Sequence, residues 1–320
     1  MTAAPAPDQE CDLEIAGMRL RVRETGHGDP ILLLNGLGTH TAMWRPFERA
    51  LPDRRIISFD APGTGHSELP IGPLPMASLA AMVETLLDRL GEQERVDVVG
   101  YSFGGALAQQ LARQAPQRIR RLVLAATTPG WGGIPGRTSS LMLMLTPLRY
   151  WSATFYSLTI PWIAGGQAHD PEFVRRHRRD RLAAPPSLLG YTGQLYTMSS
   201  WSSARWLPEL NVPTLVLCGA DDPLTPPVNS VLIAARMPDA RLQMLEGEGH
   251  LLLLDAHGNA LPTVRDFLDA PSLEDSEAWT TGRIVDEDEV AEALRESGRG
   301  GEPWGTMSSL YRRLAAARLV

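Results

Sequence analysis

The run Gly100-Tyr101-Ser102-Phe103-Gly104-Gly105 constrains this chain more than any other stretch. Upstream, Arg95-Val96-Asp97-Val98-Val99 is a short β-branched run that reads as a buried strand. Downstream, Gly105 to Arg113 reads as a helix of small and apolar residues. Ser102 therefore falls on a turn between a strand and a helix. A Gly-x-Ser-x-Gly turn in that setting is a nucleophile elbow, with the serine hydroxyl projecting at the C-terminal edge of a sheet. Gly100 and Gly104 are the small neighbours that let strand and helix approach without a side-chain clash. The helix N-terminus beside the hydroxyl favours a developing negative charge.

A serine hydroxyl needs a base within hydrogen-bond reach and a third group to orient that base. On a sheet with this elbow the chain order is nucleophile, acid, histidine. Of the seven histidines, His250 and His257 follow the last strand-like run. His250 lies in Gly247-Glu248-Gly249-His250, a loop able to aim an imidazole at the sheet edge, and is the candidate base; His257 is its rival. The acid is Asp222, with Asp221 as rival, in Gly219-Ala220-Asp221-Asp222-Pro223-Leu224-Thr225-Pro226. Residues 125–136 contain no Asp or Glu, so no acid is available after the preceding strand. An oxyanion hole needs two backbone N–H groups. Phe103, after the nucleophile, supplies one, and Leu37 the other, in a loop that Gly36 and Gly38 allow to bend close.

Along the rest of the chain, apolar strand-like runs alternate with helical patterns. Strands are expected at Ile31–Leu34, Arg55–Phe59, Arg121–Ala126, Pro213–Cys218 and Arg241–Leu245, and a hairpin at Leu13–Glu24. Helices are expected at Trp44–Leu51, at Ser78–Leu90 with Ser78 as N-cap and Gly91 as stop, at Val228–Arg236 and at Asn259–Leu268. The alternation implies an α/β class with a mainly parallel sheet flanked by helices. It runs over 11–130, breaks at 131–206 and resumes over 207–269. The interrupting segment holds five of the eight tryptophans and four of the six tyrosines, and a helix starting at Asp170-Pro171 carries Arg175, Arg176, His177, Arg178 and Arg179. It reads as an inserted helical cap, its arginines a solvated face in the first reading and a site for a carboxylate end in the second. Residues 1–10 read as disordered. Residues 271–297 hold nine acidic residues against two arginines and read as a solvated, partly ordered tail. Met307–Val320 has helical apolar spacing, suited to packing on its own body or a partner subunit, or to a hydrophobic granule or membrane surface.

Composition narrows the partners. The net charge is −7, and every one of the 30 basic residues is arginine; no nucleic-acid partner is expected. Cys11 and Cys218 are too far apart in sequence to suggest a disulfide framework, and no metal-ligand spacing or cofactor motif is found. With neither a signal peptide nor a membrane span in view, a cytoplasmic enzyme is expected.

Asn35-Gly36-Leu37-Gly38, Asp60-Ala61-Pro62-Gly63, the elbow, Gly219–Pro226 and the Gly-His-Leu around His250 together resemble the α/β-hydrolase fold over about residues 12–269. Within it, Leu33–Gly38, Gly104–Gln110, Leu122–Thr127 and Pro213–Leu224 look like the intracellular medium-chain-length polyhydroxyalkanoate depolymerases. Asn35, where many α/β-hydrolases have histidine, is part of that likeness. Tyr101 and Phe103 depart from the aliphatic residue and tryptophan expected beside the serine. The resemblance implies hydrolysis of stored aliphatic polyesters by Ser102, Asp222 and His250, with the cap clamping acyl chains. Small-ester hydrolysis, C–C bond hydrolysis, acyl transfer and perhydrolysis are the alternatives on the same triad.

Overall fold

The computed structural model describes residues 9–297, so the expectations for residues 1–8 and for Met307–Val320 lie outside the described residues. Eight strands form one sheet: β1 Gln9–Ile15, β2 Met18–Thr25, β3 Pro30–Leu34, β4 Arg55–Phe59, β5 Val96–Tyr101, β6 Ile119–Ala125, β7 Thr214–Gly219 and β8 Ala240–Leu245. Their order across the sheet is β1-β2-β4-β3-β5-β6-β7-β8. β2 pairs antiparallel with β1 and β4, and the remaining pairs are parallel. The fold is that of the α/β hydrolases.

Period-two alternation explains why these strands read as unbroken apolar runs. Leu32, Leu34, Ile57 and Val98 face one core with α2 (Met76–Arg89), α3 (Phe103–Gln114) and α8 (Val228–Arg236). Ile31, Leu33, Ile56 and Val99 face the other core with α1 (Arg45–Ala50) and α9 (Ala260–Asp269). Both faces are covered, so neither can be polar.

Between β6 and β7 the chain forms α4 (Thr138–Leu145), α5 (Ala153–Ala164), α6 (Pro171–Arg181) and α7 (Leu188–Ser199). Asp170 caps α6 by accepting from the Glu172 and Phe173 amides, with Pro171 in the first turn. Arg175, Arg176 and Arg179 of that helix are exposed, but His177 is buried.

Three local readings are corrected. Ser78 does not cap α2; the helix opens at Met76 after Pro75, because burying Met76 extends the apolar stripe toward the N-terminus. The first strand begins at Gln9, so residues 9 and 10 are ordered by pairing with Glu24 and Arg23. Residues 271–297, expected as a solvated tail, dock on the body through α10 (Glu277–Thr280) and α11 (Glu287–Ser297). Trp279 is buried and stacks on Phe267, ring centroids 5.6 Å apart, with the Arg241 guanidinium 4.6 Å from the Trp279 ring centroid. Leu242 and Arg283 exchange two backbone hydrogen bonds of 2.9 Å. Val290 and Ala293 pack on Ile134, Val228 and Leu232, while most of the acidic side chains stay in water. A few apolar residues at helical spacing outweigh the charge, which remains solvated either way.

Candidate active site

Ser102 stands between β5 and α3 with φ 56° and ψ −116°. Its amide donates to Ala125 O at 2.9 Å, and Thr127 Oγ1 donates to its carbonyl at 2.7 Å, so the end of β6 and the residues just after it hold the turn from beneath. The glycines around it are required by close approach. A Cβ on Gly104 would lie 2.0 Å from Leu34 O, and one on Gly100 would lie 2.5 Å from Gly104 O.

Two later loops meet this turn. The loop after β8 carries His250, whose Nε2 is 3.0 Å from Ser102 Oγ. The loop after β7 carries Asp222, whose Oδ2 is 2.7 Å from His250 Nδ1. An ionised carboxylate only accepts, so Nδ1 bears the proton and Nε2 is free to accept from the serine hydroxyl. Thr225 Oγ1 also lies 3.2 Å from Nδ1. The Asp222 side chain is itself fixed by its own turn, with Oδ1 accepting from the Leu224 and Thr225 amides at 2.9 Å each. Asp221 and His257 are exposed and take no part. Glu248 braces the histidine loop by accepting from the Asn259 amide; burial raises its carboxyl above the usual range.

The loop after β3 closes the site. The Phe103 amide is the first N–H of α3, one of those a helix leaves unpaired by construction. Gly36 brings the loop so near that a Cβ there would sit 2.9 Å from the Tyr101 ring. Gly38 has φ +63° and donates to Gln194 Oε1 of α7 at 2.8 Å. Asn35 Nδ2 donates to Phe59 O at 3.0 Å, and Asn35 Oδ1 accepts from Trp44 Nε1, so this amide ties the loop to β4 and the core. The loop carrying Leu37 is thereby held beside Ser102, and Tyr101 is buried beneath it with its ring 5.4 Å from that of His250.

Ser102 and His250 open into a cavity of about 30 Å³ walled by Leu37, Met144, Ile160, Ile163, Leu224 and Leu251, together with Tyr101, Arg149 and Arg181. The cap reaches the histidine loop directly, since the His250 amide donates to Ala164 O at 2.7 Å and the Gly249 amide to Gln167 Oε1 at 2.8 Å. Sequence reasoning missed Arg149, Tyr150, Arg181, Tyr191 and Gln194. Helix phase was the available signal for Arg181: Phe173, His177 and Arg181 recur every four residues, and all three are buried. Among the described residues no cluster of three or more His, Cys, Asp or Glu could hold a metal ion.

An α/β sheet with a serine elbow, a histidine and an aspartate on successive loops, and a helical cap defines a class, and the sequence agrees: residues 29–257 match the α/β hydrolase fold family, to which this chain belongs. Within it, the chain is 38% identical over 260 residues to a poly(3-hydroxyalkanoate) depolymerase of Ectopseudomonas oleovorans, covering 80% of this chain and 90% of that protein. Among solved structures, a hydrolase from Pseudomonas aeruginosa PA01 superposes with TM-score 0.69 at 29% identity, covering 82% of this chain and 98% of that one. The enol-lactonase from Burkholderia xenovorans LB400 gives TM-score 0.70 at 25% identity, covering 81% and 100%.

Proposed function

We infer that the protein is a carboxylic ester hydrolase acting through an acyl-Ser102 intermediate, and that its substrates are apolar aliphatic esters, medium-chain poly(3-hydroxyalkanoate) first among them. The observation that carries the reading is the hydrogen-bonded chain from Ser102 Oγ through His250 to Asp222 at the floor of a cavity with aliphatic walls and two arginines. His250 Nε2 takes the hydroxyl proton as Oγ attacks the ester carbonyl carbon. The Leu37 and Phe103 amides receive the charge that develops on the carbonyl oxygen. Collapse breaks the ester C–O bond, and His250 returns the proton to the departing alcohol. Water, deprotonated by His250, then attacks the acyl-enzyme; the acid leaves and Ser102 recovers its proton. Asp222 keeps the imidazole in the required tautomer and stabilises the imidazolium.

The polyester reading draws support from the depolymerase relative and from the surface of the cap. Met142, Leu145, Leu158, Trp162, Leu188 and Leu189 are all exposed there, a face suited to an insoluble hydrophobic polymer. The cytoplasm suits the unpaired Cys11 and Cys218, and no helix of the described residues is long and apolar enough to cross a membrane. The test measures hydroxyacid release from a medium-chain polyhydroxyalkanoate suspension beside p-nitrophenyl esters from acetate to decanoate, with Ser102→Ala as blank. Hydroxyacid release with a preference near octanoate is expected. Turnover of short esters alone, with the polymer untouched, would discard the polyester and leave a small-ester or C–C bond hydrolase.

A further inference from the structure

The cavity above Ser102 contains two cations and no acid. Arg149 and Arg181 both line it, both are more than nine-tenths buried, and none of its lining residues is Asp or Glu. Elsewhere the fold settles its buried arginines. Arg23 pairs with Glu48, Arg54 with Asp97 and Asp269, and Arg121 donates to the last carbonyls of α9. Arg149 is partly settled, with Nη1 donating to the carbonyls of Leu143, Met144 and Thr146 at the end of α4 and Nη2 to Tyr191 Oη at 2.6 Å. Arg181 is less so: its guanidinium carbon lies 4.4 Å from the Tyr150 ring centroid, and its hydrogen bond among the described residues is from Nη2 to Tyr150 Oη, at 2.7 Å. Neither guanidinium has a carboxylate within ion-pair distance among the described residues, and Nε of each is buried without an acceptor. A desolvated guanidinium without a counter-charge is costly, and its planar fork matches a carboxylate.

Tyr150 connects this charge to the reacting centre. It accepts from Arg181 and donates to the carbonyl of Leu37, in the loop that faces Ser102. The remaining walls are aliphatic: Met144, Ile160, Ile163, Leu224 and Leu251. A ligand matched to these walls, admitted once the cap helices shift, has alkyl chains, an ester at Ser102 and an anionic group a few bonds from it.

We propose that Arg181, backed by Arg149, binds a free carboxylate of the substrate, so that the enzyme acts on 3-acyloxy acids: the carboxyl-terminal ester of a hydroxyalkanoate oligomer. This rests on the serine-hydrolase reading and deepens it. The scissile bond is the last ester of the chain. The acyl portion passes to Ser102 Oγ, and the leaving alcohol, protonated by His250, is the terminal 3-hydroxy acid. Its carboxylate is only a few bonds from the ester oxygen, near enough to share one cavity with the reacting carbonyl. The polymer would then be shortened one unit at a time from its carboxyl end.

The experiment compares 3-(3-hydroxyoctanoyloxy)octanoic acid with its methyl ester, in which the carboxylate is masked. Wild-type kcat/KM is expected to favour the free acid by at least about tenfold, mostly through KM, the scale of one charge-assisted contact. Arg181→Met brings the ratio toward one, and Arg181→Lys restores part of it. Equal or better turnover of the methyl ester by wild type overturns the proposal, whether or not the variants fold. Cleavage of p-nitrophenyl octanoate without a preference for the acid sinks the carboxylate subsite and leaves the hydrolase reading intact. Should none of these esters be cleaved, the hydrolase reading fails and binding decides the subsite. Calorimetry on Ser102→Ala should find 3-hydroxyoctanoate at least about tenfold tighter than its methyl ester, and equal binding rejects the site.

Discussion

Ser102 adopts a positive φ that costs a side-chain-bearing residue about 1–3 kcal/mol, and the surrounding structure must hold it there. The hydrogen bond from its amide to the Ala125 carbonyl at the end of β6 and the Thr127 hydroxyl just beyond do so, and Gly100 and Gly104 leave the space in which the turn is possible. The same economy governs the acid. Asp221 and Asp222 are adjacent and chemically identical, yet only Asp222 turns inward, where its own turn amides hold one oxygen and His250 the other. Asp222→Asn keeps the shape but favours the wrong imidazole tautomer, and kcat on p-nitrophenyl octanoate should fall about 10³–10⁴-fold. Asp221→Asn should leave kcat within about twofold, as for surface substitutions away from such features. Equal losses in the two variants would contradict the assignment. The serine and histidine were legible because short motifs create their turns. The sequence favours Asp222 over its neighbour Asp221, but the choice turns on which carboxylate meets an imidazole 28 residues further on.

At the scale of elements, the cap is held together by polar groups that only helix packing brings together. In the seam between α5 and α6, Tyr156 Oη and His177 Nδ1 share a hydrogen bond, Phe173 stacks on the imidazole at 5.5 Å, and Nε2 is buried without a partner. Burial, and after it the nearby charge of Arg181, pushes His177 down to about 3. The folded protein therefore holds His177 neutral, whereas the unfolded chain protonates it below about pH 6.5. This contribution to stability is complete above the unfolded pKa. It is lost as pH falls toward 3, at up to about 1.4 kcal/mol per pH unit. Urea unfolding at pH 7 and pH 5 should show the loss, and His177→Phe should flatten that slope even as removal of the Tyr156 partner lowers stability at pH 7. An unchanged slope would reject His177 as its source. Helix phase placed Phe173, His177 and Arg181 on one stripe, but a run of arginines read by composition alone looks solvated, and Arg175, Arg176 and Arg179 are indeed exposed.

For the whole molecule, the segment after α9 is part of the body. Trp279 covers Phe267, Arg283 extends the edge at β8, and α11 covers Val228 and Leu232. A chain ending at Asp269 should lose several kcal/mol of unfolding free energy and so unfold at a lower urea midpoint, given that burial of one large aromatic alone contributes about 3 kcal/mol; an unchanged midpoint would restore the tail to solvent. The cavity of about 30 Å³ has room for about one water molecule, so a substrate of the kind proposed would reach Ser102 only as the cap helices shift from the loops of Asp222 and His250. By itself the sequence determined the α/β alternation, the elbow, the order serine–aspartate–histidine and the glycine loop of Leu37. Strand pleat, helix period and tight-turn chemistry act over a few residues and leave their pattern in the chain. Only the tertiary structure decided which aspartate faces the histidine, which arginines are buried above the serine, and that an acidic stretch folds back onto β8 and α9. Those outcomes depend on contacts between residues far apart in sequence, where desolvation and packing, rather than local propensity, select the partner.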